Sequence, residues 1–320
     1  MKTINGVTFD EKALENSLNE FLQTYGREVD EFFTNEKIVD ALDNNHFDAV
    51  FSKWIENMRG KLGPYALSAI LISSDVDFLY GISKIVLDMF RGSDYLLSLT
   101  LPANITTIEE RAFYECQSLK SIAIPNTVIS ISRDAFAICT SLTSVTIPYS
   151  VISIRDYAFQ GCQSLTSIKI PNSVISIGRD AFYDCISLNS IIIPNSVRSI
   201  GDYAFANCYS LKSATISDSV TSISPHTFWN CEALTSVNIP SSVTTIGKGA
   251  FSNCHSLTSV TMSENIVQIY GWAFSGCDKL KKINYSGTKA QWKKIKKSPT
   301  WRSSPITINC IDGVLKYENN

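Results

Sequence analysis

The sequence repeats itself every 23 residues over most of its length. Phenylalanine recurs at this spacing from Phe113 to Phe274, and leucine recurs from Leu96 to Leu280. Eight of the nine cysteines follow the same period, at Cys116, Cys139, Cys162, Cys185, Cys208, Cys231, Cys254 and Cys277. A constant period of about 20 to 50 residues is the signature of stacked units. The chain is therefore predicted to form a solenoid in which each coil buries the same set of side chains.

One copy of the repeat, residues 165–187, reads LTSIKIPNSVISIGRDAFYDCIS. Its first apolar run has the pattern of a short strand and is ended by Pro171, which cannot donate to a β-ladder. A second short extended run follows, and RDAFYDC is predicted to form one helical turn or less, because it is too short for a stable free helix. Each large apolar side chain contributes roughly 1.5–3 kcal/mol when buried. A single unit cannot offset an ordering entropy of about 1–2 kcal/mol per residue, so the units must stack.

The repeat resembles that of the BspA-like leucine-rich repeat family, whose pattern is L-x-x-[IV]-x-I-P-x-S-V-x-x-I-G-x-x-A-F-x-x-C-x-S. The resemblance covers residues about 96–301 and includes YSGTKAQWKKIKKSPTW at 285–301, which is similar to the C-terminal cap of many bacterial members. Departures are local, such as Ser217 and Ser263 in place of the proline. The resemblance implies a right-handed leucine-rich-repeat solenoid used for binding, and in several secreted members for adhesion to host proteins. It implies no catalytic residues.

The regularly spaced cysteines are interpreted as packing residues. Parallel coils stack about 4.8 Å apart, so these cysteines form one column of thiols. A zinc site needs four converging ligands, which a straight column does not supply. Disulfides are the alternative for some of them, because the spacing of their Cα atoms would allow a bond although the side chains lie side by side. Cys310 falls outside the register and is predicted to be the most exposed thiol.

The first 95 residues do not show the repeat and are predicted to form a mainly helical capping domain, with a partner-specific helical module as the alternative. TINGVTF predicts a hairpin around Asn5-Gly6, and Asp10 is a predicted helix N-cap. Further helical patterns run over residues 50–60 and 79–90. The predicted fold class is an α+β repeat protein. Its predicted domains are a cap at 1–95, a solenoid of about eight repeats at 96–285, and a C-terminal cap at 286–320.

Acidic and basic side chains are nearly balanced, at 30 and 28, but they are unevenly distributed. Residues 1–95 hold 16 acids and 9 bases, whereas residues 279–302 hold nine bases and no acid. The basic run is interpreted as a solvated cap. The alternatives are contact with an acidic partner, or with the N-terminal domain of a neighbouring copy in weak self-association. Nucleic acid is not expected, because phosphate binding usually requires a broader basic face.

The predicted location is the cytoplasm. No apolar run is long enough to span a membrane, and the opening MKTINGVTFDEK lacks the apolar core of a signal peptide. Nine cysteines without an export signal fit a reducing compartment. A secreted or cell-surface protein whose leader has been removed is the alternative.

No catalytic or cofactor-binding motif is recognisable. The three histidines, His46, His226 and His255, lie in no H-E-x-x-H motif, and the sequence has no G-x-S-x-G or glycine-rich phosphate loop. We therefore expect no enzyme activity, no cofactor and no bound metal. The alternative is an enzyme whose active site lies in residues 1–95.

Candidate functional residues lie in the columns that face water. Ile129, Ile152 and Ile175 stand in line at a position that is polar in later copies, and contiguous apolar surface usually marks a contact. Tyr149 and Trp229 break columns of smaller residues, and aromatic side chains dominate interface hot spots. One further column alternates in charge and predicts ion pairs between coils: Glu110, Arg133, Asp156, Arg179 and Asp202. The sequence favours a non-enzymatic scaffold that binds a protein partner, with an extracellular adhesin-like domain that binds host protein or glycan as the alternative.

Overall fold

The described part of the chain winds into ten coils, and each coil contributes one short segment to each of two stacks of parallel strands. Hydrogen bonding is interrupted once in each stack, so that each comprises two hydrogen-bonded sheets; for brevity the stacks are called the first and the second sheet. This computed structural model describes residues 2–4, 7–10, 12, 84–85 and 87–318. The first sheet contains Leu96–Thr100, Ser121–Ala123, Ser144–Thr146, the single bridge residue Lys169, Ser190–Ile192, Ser213–Thr215, Ser236–Asn238, Ser259–Met262, Lys282–Tyr285 and Ile306–Cys310. The second sheet contains Lys84–Ile85, Thr107–Ile108, Ser130–Ile131, Ser153–Ile154, Ser176–Ile177, Ser199–Ile200, Ser222–Ile223, Thr245–Ile246, Gln268–Ile269 and Lys296–Lys297.

The register of the sheets equals the repeat period over most of the solenoid. Ser121 pairs with Ser144, and Ser213 pairs with Ser236. Equivalent residues of successive coils therefore lie directly above one another and form columns. In a typical strand of the first sheet the central residue is buried and its two neighbours are exposed, as in Ser144–Thr146.

The phenylalanine column forms the centre of the core. Its rings are stacked from Phe90 to Phe274, with centroids 5.0 Å apart and planes 4° apart for Phe113 and Phe136. The edge of Trp301 closes this column at Phe274, at 6.2 Å and 88°. Offset stacking is a favoured arrangement of aromatic rings, and each fully buried ring contributes to the shared core of two coils.

The regular cysteines line the same core. All eight are buried, and each thiol donates a hydrogen bond to the carbonyl oxygen of the phenylalanine 26 residues earlier. For Cys185 the acceptor is Phe159, at 3.2 Å. Burial raises the pKa of the Cys185 thiol well above its usual range. Cys310 lies half-buried on the last strand of the first sheet, and burial raises its pKa as well.

The segments that resemble RDAFYDC form consecutive turns, which agrees with the prediction of one helical turn or less, so the described coils contain almost no helix. Their N–H groups bond alternately within the coil, as from Tyr183 to Asp180, and to the next coil, as from Phe182 to Ala204. The one helix whose residues are all described is Lys289–Lys294. In the described part of the chain, no helix has both the length and the apolar character that crossing a membrane requires.

The solenoid begins before residue 96. Lys84–Ile85 pairs with Thr107–Ile108, and the ring of Phe90 stacks on Phe113 at 5.1 Å. The predicted helix over 79–90 is therefore wrong for the residues of it that are described. The predicted hairpin is confirmed by its two strands, Lys2–Ile4 and Val7–Phe9, the second of which pairs antiparallel with the strand that begins at Leu96. The predicted helices from Asp10 to Gly26 and over 50–60 lie almost wholly outside the described residues.

The C-terminal cap is a modified tenth coil. Thr288 and Gln291 form a reciprocal capping box at the start of the helix, and Trp292 is fully buried. The indole N–H of Trp292 donates to the Tyr317 hydroxyl at 3.0 Å. The strand Gly313–Tyr317 pairs antiparallel with Ile306–Cys310 and ends the first sheet. Aromatic side chains therefore cover the core where the repeat stops.

Candidate functional site

The three isoleucines predicted as a partner surface are stacked on adjacent coils. The N–H of Ile152 bonds the carbonyl of Ile129 at 3.1 Å, and the N–H of Ile175 bonds that of Ile152 at 2.8 Å. Their exposed fractions are 54%, 50% and 49% for Ile129, Ile152 and Ile175. About half of each side chain is therefore accessible, and the three together form a continuous apolar stripe.

Tyr149 lies three residues before Ile152 in the same coil and is 66% exposed. The ammonium of Lys169 donates to the Tyr149 hydroxyl at 3.3 Å and lies 5.8 Å from the ring centroid. Ile192 follows Lys169 in the same outward column on the next coil and is 68% exposed. We call the stripe together with Tyr149, Lys169 and Ile192 the Ile–Tyr surface. Sequence reasoning did not single out Ile192, although it was the only branched apolar residue in a column that is otherwise small or polar.

Trp229 is not part of this surface. It lies half-buried in the turn segment of its coil, where its ring meets Tyr203 and His226 edge-on at 6.3 and 6.1 Å. Tyr203 and His226 are themselves stacked at 4.6 Å. The imidazole of His226 packs against Gly249. Any larger residue at position 249 would place its Cβ 2.5 Å from the imidazole ring, so glycine is needed there. Burial, and secondarily Lys248, lowers the pKa of His226. These contacts identify Trp229 as a packing residue.

The alternating charge column does not pair between coils as predicted. The guanidinium of Arg133 lies 3.2 Å from Asp134, and that of Arg179 lies 3.0 Å from Asp180. Asp156 instead accepts a hydrogen bond from the backbone N–H of Arg179 at 2.8 Å. The prediction of ion pairs between coils is therefore wrong for these arginines, because the neighbouring aspartate in sequence is closer. Exposed pairs of this kind contribute only about 0–1 kcal/mol.

An asparagine ladder that sequence reasoning missed runs beside the cysteines. The side-chain amide of Asn253 donates to Asn230 at 2.9 Å, Asn230 donates to Asn207 at 2.8 Å, and Asn207 donates to the Asp184 carboxylate at 2.6 Å. All four residues have a left-handed backbone, with φ between 58° and 61°. The signal in the sequence was the Asn-Cys dipeptide at three successive coils. The ladder links the turns of successive coils by side-chain hydrogen bonds.

The described residues do not assemble a metal centre. Among them, no group of three or more His, Cys, Asp or Glu side chains could hold a metal ion. The regular thiols are poor nucleophiles, because burial disfavours the thiolate. His255 pairs with Asp278 at 2.8 Å on an exposed part of the surface.

The family model described as the BspA-type leucine-rich repeat region matches residues 61–189 and 175–298. A leucine-rich repeat protein from Bacteroides ovatus is 30% identical over 59% of this chain, which spans 63% of that protein's length, with a TM-score of 0.42. A leucine-rich cell surface protein from Faecalibacterium prausnitzii is 26% identical to this chain, with a TM-score of 0.42. The match covers 68% of this chain and 80% of that protein. The leucine-rich repeat protein of T. pallidum is 28% identical to this chain, with a TM-score of 0.44. The match covers 62% of this chain and 81% of that protein. No curated protein sequence matches the chain.

Proposed function

The chain belongs to the BspA-type leucine-rich repeat family, and we propose that it acts as a non-enzymatic scaffold that binds a protein partner through the Ile–Tyr surface. The observation that carries this proposal is the stack of three half-exposed isoleucines on adjacent coils. Three aliphatic side chains stacked on adjacent coils offer a partner a strip of apolar surface. Single exposed apolar residues would carry no such meaning, since they are ordinary on protein surfaces.

The neighbouring residues fit the anatomy of an interface. Tyr149 offers a large ring and a hydroxyl, and aromatic side chains of this kind are the usual anchors of binding energy. Lys169 holds the Tyr149 hydroxyl and so restricts its ring, which lowers the entropy lost on binding. Ile192 adds apolar area beyond the lysine. Burial of apolar area contributes roughly 25 cal/mol per Å², so several such side chains are needed for a stable contact.

The experiment compares two substitutions in one column. Ile152→Lys introduces a charge into the stripe, whereas Thr221→Lys makes the same final residue at an exposed, polar position three coils further on. Both variants and the wild type are used to capture proteins from native lysate, and thermal melting checks that they fold equally well.

We expect at least one captured protein to be retained by Thr221→Lys and lost by Ile152→Lys. Its affinity should fall about tenfold or more, since an unpaired lysine in an apolar contact costs at least about 1.4 kcal/mol. Identical capture by the two variants, with equal melting temperatures, would mean that the stripe does not bind.

A cytoplasmic location remains a prediction. The buried thiols are shielded from oxidants and disfavour the thiolate, so the cysteine column is compatible with a reducing and with an oxidising compartment. Cell fractionation with an antibody against the chain would test the location directly.

A further inference from the structure

A cleft of about 660 Å³ opens where the ninth and tenth coils meet, beside the C-terminal cap. We call it the cap cleft. Residues 297–303 of the tenth coil line it, together with Trp272 and Ser275 of the ninth coil and Tyr317 of the last strand. Its volume lies within the range of about 300–1,000 Å³ that is usual for small-ligand sites. Its lining combines cations, aromatic rings and hydroxyl groups, and these three kinds of group determine what it can bind.

The two cations of the cap cleft have no carboxylate partner. Lys297 and Arg302 form no ion pair with any residue that the structure describes. The ammonium of Lys297 donates to the carbonyls of Trp292 and Ile295, both at 2.7 Å, which leaves one of its three N–H groups unused by the described residues. Burial lowers the pKa of Lys297. A half-buried cation without a counter-ion favours the binding of an anion, because the anion replaces the stabilisation that water would have given.

The guanidinium of Arg302 is held in place by its neighbours. Its Nη1 and Nη2 groups donate to the carbonyls of Ser304 and Glu318 at 2.5 and 2.8 Å. Its Cζ lies 5.8 Å from the ring centroid of Trp301 and 5.5 Å from that of Tyr317. A guanidinium has five N–H groups in a planar fork that matches a carboxylate, and the described residues use only two of them. Because the side chain is already positioned, it loses little entropy when an anion binds.

An exposed indole and several hydroxyl groups complete the cap cleft. Trp272 is 47% exposed, and its backbone N–H bonds the carbonyl of Thr300 at 2.7 Å, which fixes it to the tenth coil. The described residues that line the cleft include no leucine, isoleucine or valine, so an apolar side chain of a protein partner finds few contacts there. A sugar suits this lining better, because its C–H face packs on an aromatic ring and its hydroxyls bond serine and threonine. The four hydroxyl groups belong to Ser275, Ser298, Thr300 and Ser303.

We propose that the cap cleft binds an acidic saccharide, with the carboxylate bound by Lys297 and Arg302 and the sugar ring packed against Trp272. The combination of groups selects this ligand. An inorganic anion would make no use of the exposed indole, and a neutral sugar would leave both cations without a counter-ion. The cap cleft is separate from the Ile–Tyr surface, whose residues lie between 129 and 192, so the two sites can be tested independently.

The test is isothermal titration calorimetry of the full chain with a short oligogalacturonide. The salt concentration is about 0.15 M, where the Debye length is about 8 Å and distant charges contribute little. A neutral galactose oligosaccharide of the same length and inorganic phosphate are the comparison ligands. Arg302→Gln and Trp272→Ala alter the cap cleft, whereas Arg198→Gln is the matched control, since it removes the same charge at an exposed position on another coil. Thermal melting checks that each variant folds.

We expect the oligogalacturonide to bind the wild type and Arg198→Gln equally, and both comparison ligands to bind at least about tenfold more weakly. Arg302→Gln should weaken binding about tenfold or more, because it removes charge-assisted hydrogen bonds. Trp272→Ala should weaken it about threefold or more through the loss of the ring. This exposed position decides the matter if Arg302→Gln does not fold. No binding to the wild type, equal binding of either comparison ligand, an unaltered affinity of Trp272→Ala, or an equal loss in Arg198→Gln would each overturn the proposal.

Discussion

Asn230 occupies the middle of the asparagine ladder, and its replacement should reveal how much the ladder stabilises the solenoid. It donates to Asn207 at 2.8 Å and accepts from Asn253 at 2.9 Å. Each hydrogen bond of this type contributes about 1 kcal/mol, so their loss costs about 2 kcal/mol. Asn230 also has a φ of 58°, a conformation that costs an alanine roughly 1–2 kcal/mol more than a glycine. We therefore expect Asn230→Ala to lower the free energy of unfolding by about 3–4 kcal/mol, and Asn230→Gly to lower it by about 2 kcal/mol.

Asn230→Asp tests the direction of the ladder. An ionised aspartate can still accept a hydrogen bond from Asn253, but it cannot donate one to the side-chain oxygen of Asn207. Asn207 is only 7% exposed, so its oxygen would lose its partner in a buried place. We expect this half-buried carboxyl to have a raised pKa, because only its protonated form can donate. Its destabilising effect should therefore be absent below the unfolded pKa of about 3.9 and grow as the pH rises through the folded pKa.

The assay is urea denaturation of the three variants and the wild type, followed by far-UV circular dichroism at neutral and acidic pH. Changes within about 0.5 kcal/mol for both Asn230→Ala and Asn230→Gly are typical of a surface position without a structural role, and would show that the ladder does not stabilise the fold. An aspartate variant whose stability deficit does not shrink on acidification would contradict the assigned donor and acceptor roles.

Three further predictions follow from the core and the turns. Cys185→Ala should lower the free energy of unfolding by about 1–2 kcal/mol in urea denaturation, because it removes a buried side chain. Cys185→Ser should lower it by a similar amount, because the Phe159 carbonyl can accept a hydrogen bond from the serine hydroxyl. If both changes were neutral, Cys185 would not be a core residue. Gly249→Ala should lower the melting temperature more than Gly161→Ala does. Both glycines have a positive φ, but the new Cβ at position 249 would lie 2.5 Å from the His226 ring, whereas the nearest atom to a Cβ at position 161 is 3.6 Å away. His226→Phe should make stability less sensitive to acidification, because the lowered pKa of His226 favours folding above about pH 6.5 and this contribution is lost as the pH falls through the folded pKa; an unchanged pH profile would refute this role.

The solenoid could be predicted from the sequence because its period is also its register. Once Ser121 pairs with Ser144, every other position of the two coils is aligned, and the buried columns follow without knowledge of individual contacts. The first coil was missed because Ser93 stands where later coils have cysteine, so the most visible marker of the repeat is absent. The apolar spacing up to Phe90 also fits a helix, and stacking of Phe90 on Phe113 overrides that local pattern.

The candidate surface could be predicted only in part, because exposure depends on neighbours in other coils. The isoleucine column was visible as three successive apolar residues, followed at the same position by the polar Arg198, Thr221 and Thr244. The pairing of Arg179 was not visible, since Asp180 and Asp202 are both plausible partners by position and only side-chain geometry selects Asp180. The asparagine ladder could not be predicted for a similar reason. It forms only because the residues with left-handed backbone point their side chains to the same side of the coil, and the sequence does not show that direction.

Breaks in the columns are where this chain differs from its own repeat, and they distinguish packing from binding when combined with exposure. Tyr149 and Trp229 both replace smaller residues. The ring of Trp229 is held by Tyr203 and His226, so its size is used within the protein. Tyr149 is 66% exposed, and its hydroxyl is bonded by Lys169, which is itself exposed, so the size of this ring is not explained by packing among the described residues. This exposed aromatic ring, beside a stripe of half-exposed isoleucines, is the reason for proposing a partner that covers both.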